Sequence, residues 1–106
     1  MSIAGAGPHL GQAARAIEQY EAALYLRPNE PSAHNNFGTL LAARGRWKEA
    51  KLHFERAAAH DGEYSEFTYL RRPLQAHIYT NLAAASIELG SPGEGRRNAE
   101  RAIEYD

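Results

Sequence analysis

The sequence predicts an all-α fold, a solenoid of helix pairs, and the first reason is an internal repeat. An offset of 34 residues towards the N-terminus matches Gly45 with Gly11, Ala50 with Ala16, Phe54 with Tyr20 and Ala57 with Ala23. An offset of 45 residues towards the C-terminus matches Phe37 with Leu82, Gly38 with Ala83, Gly45 with Gly90 and Ala57 with Ala102. Apolar residues at helical spacing and glycines between the apolar segments are the other two observations. Repeats of this length are typical of solenoids whose units each contribute one supersecondary element.

The first predicted helix runs from about residue 9 to Arg27. Its apolar residues recur every three or four positions, as on one face of a helix: Ala13, Ala16, Ile17, Tyr20, Ala23 and Leu24. Pro28 ends the helix. Residues 1–8 are rich in glycine and alanine, and Pro8 disfavours a helix that continues through it. We therefore expect a flexible N-terminal tail at 1–8.

The next helix pair is predicted at 31–44 and 47–60. Asn29 or Glu30 is expected to cap the first of these helices, with Pro31 at its first position. Gly45 then provides a turn, because glycine tolerates the positive φ that follows many helix ends. The inner face of the second helix is expected to carry Trp47, Ala50, Phe54 and Ala57.

The two offsets differ by 11 residues, which indicates an insertion at 64–75. Eleven residues are close to three helical turns, so the insertion could extend the following helix. Pro73 disfavours helix in the residue before it, and we therefore expect an irregular or short helical segment at 64–71. Its apolar residues Phe67, Tyr69 and Leu70 are expected to pack against the groove mouth or a second chain.

The last helix pair is predicted from about Pro73 to Leu89 and from Pro92 to the end of the chain. Gly90 closes the first helix. The segment Ser91-Pro92-Gly93-Glu94 has the pattern of a capping box with proline at the first helical position.

The repeated residues resemble the tetratricopeptide repeat. The middle unit reads His34-x2-Phe37-Gly38-x2-Leu41, followed by Ala50-x3-Phe54 and Ala57. The first unit keeps only the second half of the motif, and the third departs from it at Gly95 and Ala99. The resemblance implies a right-handed α-α superhelix of about two and a half repeats. Its parts are a half repeat at 9–30, a full repeat at 31–63, the insertion and a degenerate repeat at 76–106.

The resemblance implies a non-enzymatic scaffold that holds a peptide or a segment of a partner protein in its concave groove. The groove is lined by the first helix of each pair, which gives these candidates: Ser32, Asn35, Asn36, Thr39, His77, Thr80, Asn81, Ala84 and Glu88. Asn36 and Asn81 occupy the same repeat position, and a carboxamide can both donate and accept hydrogen bonds along a peptide backbone. The alternative is that these asparagines cap local backbone or face water.

Positive charge near the groove is sparse. Arg71 and Arg72 are possible auxiliary binding residues, although an exposed turn is the preferred explanation for this pair. Asn35, Thr39 and His77 flank the two asparagines and none is a fixed cation, so a clamp for a peptide carboxylate is not expected.

Two other functions stay open. The chain could be a structural assembly module that forms homo-oligomers through its helical ends, because the first helix lacks a partner on one side of Ile17, Tyr20 and Leu24. It could also be a regulatory repeat segment of a larger enzyme.

The composition excludes several functional classes. A net charge of −1 gives no electrostatic reason to expect nucleic-acid or anionic-membrane partners. Cysteine is absent, and the five histidines show no pair at metal-binding spacing within a helix. We therefore expect no catalytic residues, no metal and no cofactor, in a soluble, cytoplasmic protein.

Overall fold

The chain forms five α-helices in a computed structural model that describes the backbone of residues 3–60 and 68–105 and the side chains of 11–59 and 73–105. The helices are α1 (Ile3–Leu26), α2 (Pro31–Ala43), α3 (Trp47–His60), α4 (Thr68–Glu88) and α5 (Pro92–Tyr105). Within those described ranges there is no β-strand. The predicted all-α fold is confirmed.

The helices pack in chain order. Each helix contacts the next one in the chain, and α2 also contacts α4, the first helix of the following pair. Contacts between neighbours in the sequence, repeated along the chain, are what a solenoid of helix pairs requires.

The two turns within the helix pairs have the same geometry. Gly45 and Gly90 adopt positive φ angles of 78° and 84°. After α2, the Gly45 N–H donates to the Ala42 carbonyl and the Arg46 N–H to the Leu41 carbonyl; the corresponding bonds after α4 join Gly90 to Ile87 and Ser91 to Ser86. This is the Schellman arrangement, in which glycine after the helix end satisfies carbonyls that the helix leaves unpaired. The repeat is therefore visible in the backbone as well as in the sequence.

The core lies between α2, α3 and α4. Its buried apolar residues form one cluster: Phe37, Leu41, Ala50, Phe54, Ala57, Ile78, Leu82 and Ala85. Gly38 sets the spacing of α2 and α3, because a Cβ at this position would lie 2.5 Å from Cε1 of Phe54 and 3.1 Å from the Ala50 carbonyl oxygen. Two helices that approach this closely leave room only for hydrogen at the contact point.

Glu30 is the N-cap of α2, one of the two predicted residues. Its side-chain Oε1 accepts a hydrogen bond of 3.2 Å from the Ser32 N–H, and Pro31 follows at the first helical position. The predicted first position of α5 at Pro92 is also confirmed.

The predicted starts of two helices are wrong. α1 begins at Ile3 and includes Pro8, so the helix takes in most of the segment expected to be a tail. α4 begins at Thr68 and includes Pro73, so in the described part the insertion extends the helix, rather than forming a separate irregular or short helical segment before it. Each proline is the sixth residue of its helix, so its missing N–H removes one bond near the start of the i→i−4 ladder.

Parts of the predicted insertion lie outside the described residues. Phe67 belongs to the segment 61–67, which is not described, and the side chains of Tyr69 and Leu70 are not described either. Their packing, like the division of the chain into repeat units, stays a prediction.

Candidate functional site

The candidate site is a row of side chains on α2 and α4, which lie side by side. Nδ2 of Asn81 on α4 donates a hydrogen bond of 2.9 Å to Oδ1 of Asn35 on α2. This bond fixes α4 against α2 and therefore sets the relative positions of the residues on their outer surfaces.

Most of the predicted binding residues share one stripe along these two helices. On α2 the stripe has the spacing of one helical face. Three of its four α4 members lie 45 positions after an α2 member, and the fourth, Glu88, corresponds to Ala43. We call this surface the polar stripe, and it comprises Ser32, Asn36, Thr39, His77, Asn81, Ala84 and Glu88. Asn81 is half-buried and the other six are exposed.

Two predicted binding residues lie elsewhere. Asn35 is only 7% exposed, and its side-chain oxygen accepts the bond from Asn81. Thr80, which is 45 residues after Asn35, lines an open cleft between α4 and α5 with Ala83, Ala99 and Ala102. The side chains of Arg71 and Arg72 fall outside the described part of the chain.

The polar stripe offers uncharged hydrogen-bonding groups along most of its length. Asn36 presents a carboxamide with two N–H donors and a carbonyl acceptor. One N–H group of the Asn81 amide donates to Asn35, and its second N–H group and its carbonyl oxygen can pair with a ligand. The Thr39 hydroxyl donates to the Asn35 backbone carbonyl at 2.9 Å, which leaves its oxygen free to accept. Such a row can pair with backbone amides of any sequence.

The residues proposed for self-association are partly used inside the chain. Ile17, Tyr20 and Leu24 of α1 are half-buried and pack against the core cluster. The Tyr20 and Phe37 rings stack with centroids 5.8 Å apart. Among the α1 side chains from residue 11 onwards, the large apolar ones that are exposed are Tyr25 and Leu26, at 87% and 78%.

Sequence reasoning missed a contact between two histidines. Nδ1 of His34 on α2 lies 3.0 Å from Nδ1 of His53 on α3, and Nε2 of His34 lies 2.6 Å from the Pro28 carbonyl oxygen. Burial lowers the pKa of His53, and the neighbouring His34 and Arg56 lower it further. No motif predicts this pair, because the two residues come from different helices and meet only through tertiary packing.

The described residues contain neither a cluster of metal-ligating side chains nor a helix that could span a membrane. No group of three or more His, Cys, Asp or Glu side chains in those ranges is arranged to hold a metal ion. None of the helices in the described part of the chain has a stretch long and apolar enough to cross a membrane.

Comparison with known proteins relates part of the chain to a described family. A family model described as tetratricopeptide repeat matches residues 9–30, which comprise most of α1 and the turn that follows it. The matched residues are those of the predicted half repeat. A search of curated proteins found no match.

Proposed function

Since the match at residues 9–30 supports membership of the tetratricopeptide repeat family, we propose that this chain is a non-catalytic scaffold for protein–protein interaction. It holds an extended peptide or partner segment along the polar stripe, with Asn36 and Asn81 pairing with the backbone of the bound chain. In this proposal, the face of α2 and α4 that carries the polar stripe is the concave side of the solenoid.

The observation that carries the proposal is the position of two asparagines at the same place in successive units. Asn36 is exposed and Asn81 is half-buried, and the bond from Asn81 to Asn35 fixes the orientation of the Asn81 amide. A side chain that is already oriented loses less conformational entropy when a ligand binds. Asn35 thus orients the Asn81 side chain and does not itself contact the ligand.

Chemical-shift mapping tests this location. A peptide selected against the protein from a random library is titrated into the isotope-labelled protein, and the side-chain amides of Asn36 and Asn81 are followed. We expect shifts at Asn36, Thr39 and Asn81, and none at Lys48 on the exposed side of α3. Shifts confined to α3 and α5 would place binding elsewhere and overturn the proposal.

A second candidate function, assembly through a helical end, has a specific observation in its favour. The cleft between α4 and α5 is lined by Ala76, His77, Thr80, Ala83, Ala99, Ala102 and Ile103. Among the positions 45 residues earlier, Asn35 bonds to Asn81 of the next unit, and Phe54 and Ala57 are buried in the core. At the cleft itself Ile103 is 73% exposed. We propose that a helix of a second copy covers this cleft if the chain self-associates.

Light scattering over a range of protein concentrations separates the two functions. Assembly through the α4–α5 cleft predicts a mass that rises with concentration and that Ile103→Glu reduces to the monomer. The matched control is Leu52→Glu on the exposed side of α3. A wild-type protein that stays monomeric would reject assembly and leave the binding proposal untouched.

A further inference from the structure

The histidine pair lies where three helices meet. His34 is 2% exposed on α2, and His53 faces it from α3. The His53 ring is 4.5 Å from the Phe37 ring, which in turn stacks on Tyr20 of α1. The histidine pair is therefore adjacent to the contact between Tyr20 and Phe37, which joins α1 to α2.

The partners of His34 fix the positions of its protons. A carbonyl oxygen only accepts hydrogen bonds, so the His34 Nε2 that lies 2.6 Å from the Pro28 oxygen carries a proton. In the neutral ring its Nδ1 then holds a lone pair. The Nδ1 of His53, 3.0 Å away, must be the donor. The arrangement needs one proton, and only one, between the two facing nitrogens.

Charged side chains of α1 and α3 lie near the histidine pair. Glu21 of α1 and Arg56 of α3 line the same open cleft of about 370 Å³ as the two histidines. Arg56 disfavours a positive charge on His53, whereas Glu49 of α3 favours it more weakly. Glu49 is itself paired with Arg46 at 2.7 Å, which leaves Glu21 as the acidic group of this cleft and Arg56 as the basic one.

We propose that the hydrogen bond between His34 and His53 is an acid-sensitive contact that holds α1 and its following turn against α2 and α3. A first proton can add to Nε2 of His53 and leave the bond intact. A second proton must add to Nδ1 of His34, and two N–H groups then face each other across 3.0 Å. The His34 ring turns away to relieve this repulsion, and its bond to the Pro28 carbonyl is lost.

A proton can add to Nδ1 of His34 only when its hydrogen bond from His53 is broken, and burial together with neighbouring positive charge lowers the pKa of His53, so both rings resist protonation in the folded state. The folded state binds fewer protons than the unfolded state once the pH falls below the ordinary histidine value of about 6.5. The stabilisation is therefore complete above about pH 6.5 and is lost as the pH falls further. Opening of α1 would uncover the apolar surface of Ile17, Tyr20 and Phe37.

Hydrogen exchange on the intact chain tests the proposal. Exchange of the α1 amides from residue 11 to residue 26 is compared at pH 7.0 and pH 5.0, after correction for the intrinsic pH dependence of exchange. Opening linked to one proton should increase by up to about tenfold for each pH unit below the histidine value. Protection in α5, which is remote from the pair, should change much less.

His53→Gln is the discriminating variant, because a glutamine amide can donate to neutral His34 and, after rotation, accept from protonated His34, so no two N–H groups need face each other. We expect it to abolish the acid-dependent loss of α1 protection, whereas His77→Gln on the exposed side of α4 should retain it. An unchanged acid response in His53→Gln, or no acid response in the wild-type protein, overturns the proposal.

A measurement on the wild-type protein tests the proposed positions of the histidine protons without depending on the folding of a variant. Imidazole nitrogen spectra near pH 7.5 should show His34 protonated at Nε2 and His53 protonated at Nδ1. Two other tautomers, or two histidines that titrate independently near pH 6.5, would exclude the shared proton and with it the proposed contact.

Discussion

Asn81 donates a hydrogen bond from Nδ2 to Oδ1 of Asn35 at 2.9 Å, and this bond joins α4 to α2 beneath the polar stripe. The two residues are not equivalent in the repeat: Asn81 corresponds to Asn36, and Asn35 corresponds to Thr80. One asparagine of the proposed binding pair is therefore also a packing residue, while the other is exposed. Asn36 and Asn81 therefore have different roles in the structure, although they occupy the same position in the repeat.

Removing Asn81 should weaken the fold as well as the site. Asn81→Ala leaves the buried Asn35 oxygen without its donor, and an unsatisfied buried group costs about 1–3 kcal/mol of stability. Asn36→Ala, at an exposed position, should change the free energy of unfolding by less than about 0.5 kcal/mol. Urea denaturation of both variants measures the difference. Equal stabilities would show that the bond between the helices contributes nothing.

Gly38 should not tolerate a methyl group. Gly38→Ala places a Cβ 2.5 Å from Cε1 of Phe54 and 3.1 Å from the Ala50 carbonyl oxygen. Overpacking of this kind typically destabilises a protein by about 1–3 kcal/mol, which exceeds the helix-propensity gain of about 1 kcal/mol.

The matched control for Gly38→Ala is Gly93→Ala in α5. A Cβ at Gly93 meets nothing closer than Nη1 of Arg97 at 3.7 Å. This variant should keep or raise the thermal midpoint, whereas Gly38→Ala lowers it. If both variants raise the midpoint, the close approach of α2 and α3 is not a constraint on the fold.

Ser86 is a weak point of the core. It is fully buried, and its Oγ has no hydrogen-bond partner. The corresponding residue of the preceding unit is Leu41, which is also fully buried. Ser86→Ala removes the unpaired hydroxyl and improves helix propensity, so we expect about 1 kcal/mol of added stability in chemical denaturation. Ser32→Ala, at an exposed position of α2, is the control, and a less stable Ser86→Ala protein would contradict the prediction.

Features that depend on local chemistry were predictable from the sequence. Gly45 and Gly90 end helices because only glycine adopts their positive φ without strain. Phe37, Leu41 and Phe54 recur at helical spacing and are buried. The assignment to helix pairs followed from these two signals together.

Features that depend on the placement of one helix against another were not predictable. Asn35 was expected to face the groove, yet it is buried against α4, because its neighbour in the next unit is an asparagine that bonds to it. The contact of His34 with His53 likewise joins residues from separate helices. The helical insertion was misjudged for a different reason: a proline near a helix start removes one bond, and that loss does not end the helix.

If a bound peptide pairs with the polar stripe, the Asn36→Ala variant should bind it more weakly than the wild-type protein does. Isothermal titration compares wild type, Asn36→Ala and the α3 control Lys48→Ala, all with a peptide selected against the wild-type protein. Loss of one hydrogen bond worth about 0.5–1.5 kcal/mol predicts an affinity about 2- to 12-fold weaker for Asn36→Ala. The control should bind as wild type does. Wild-type affinity in a folded Asn36→Ala protein would contradict the account.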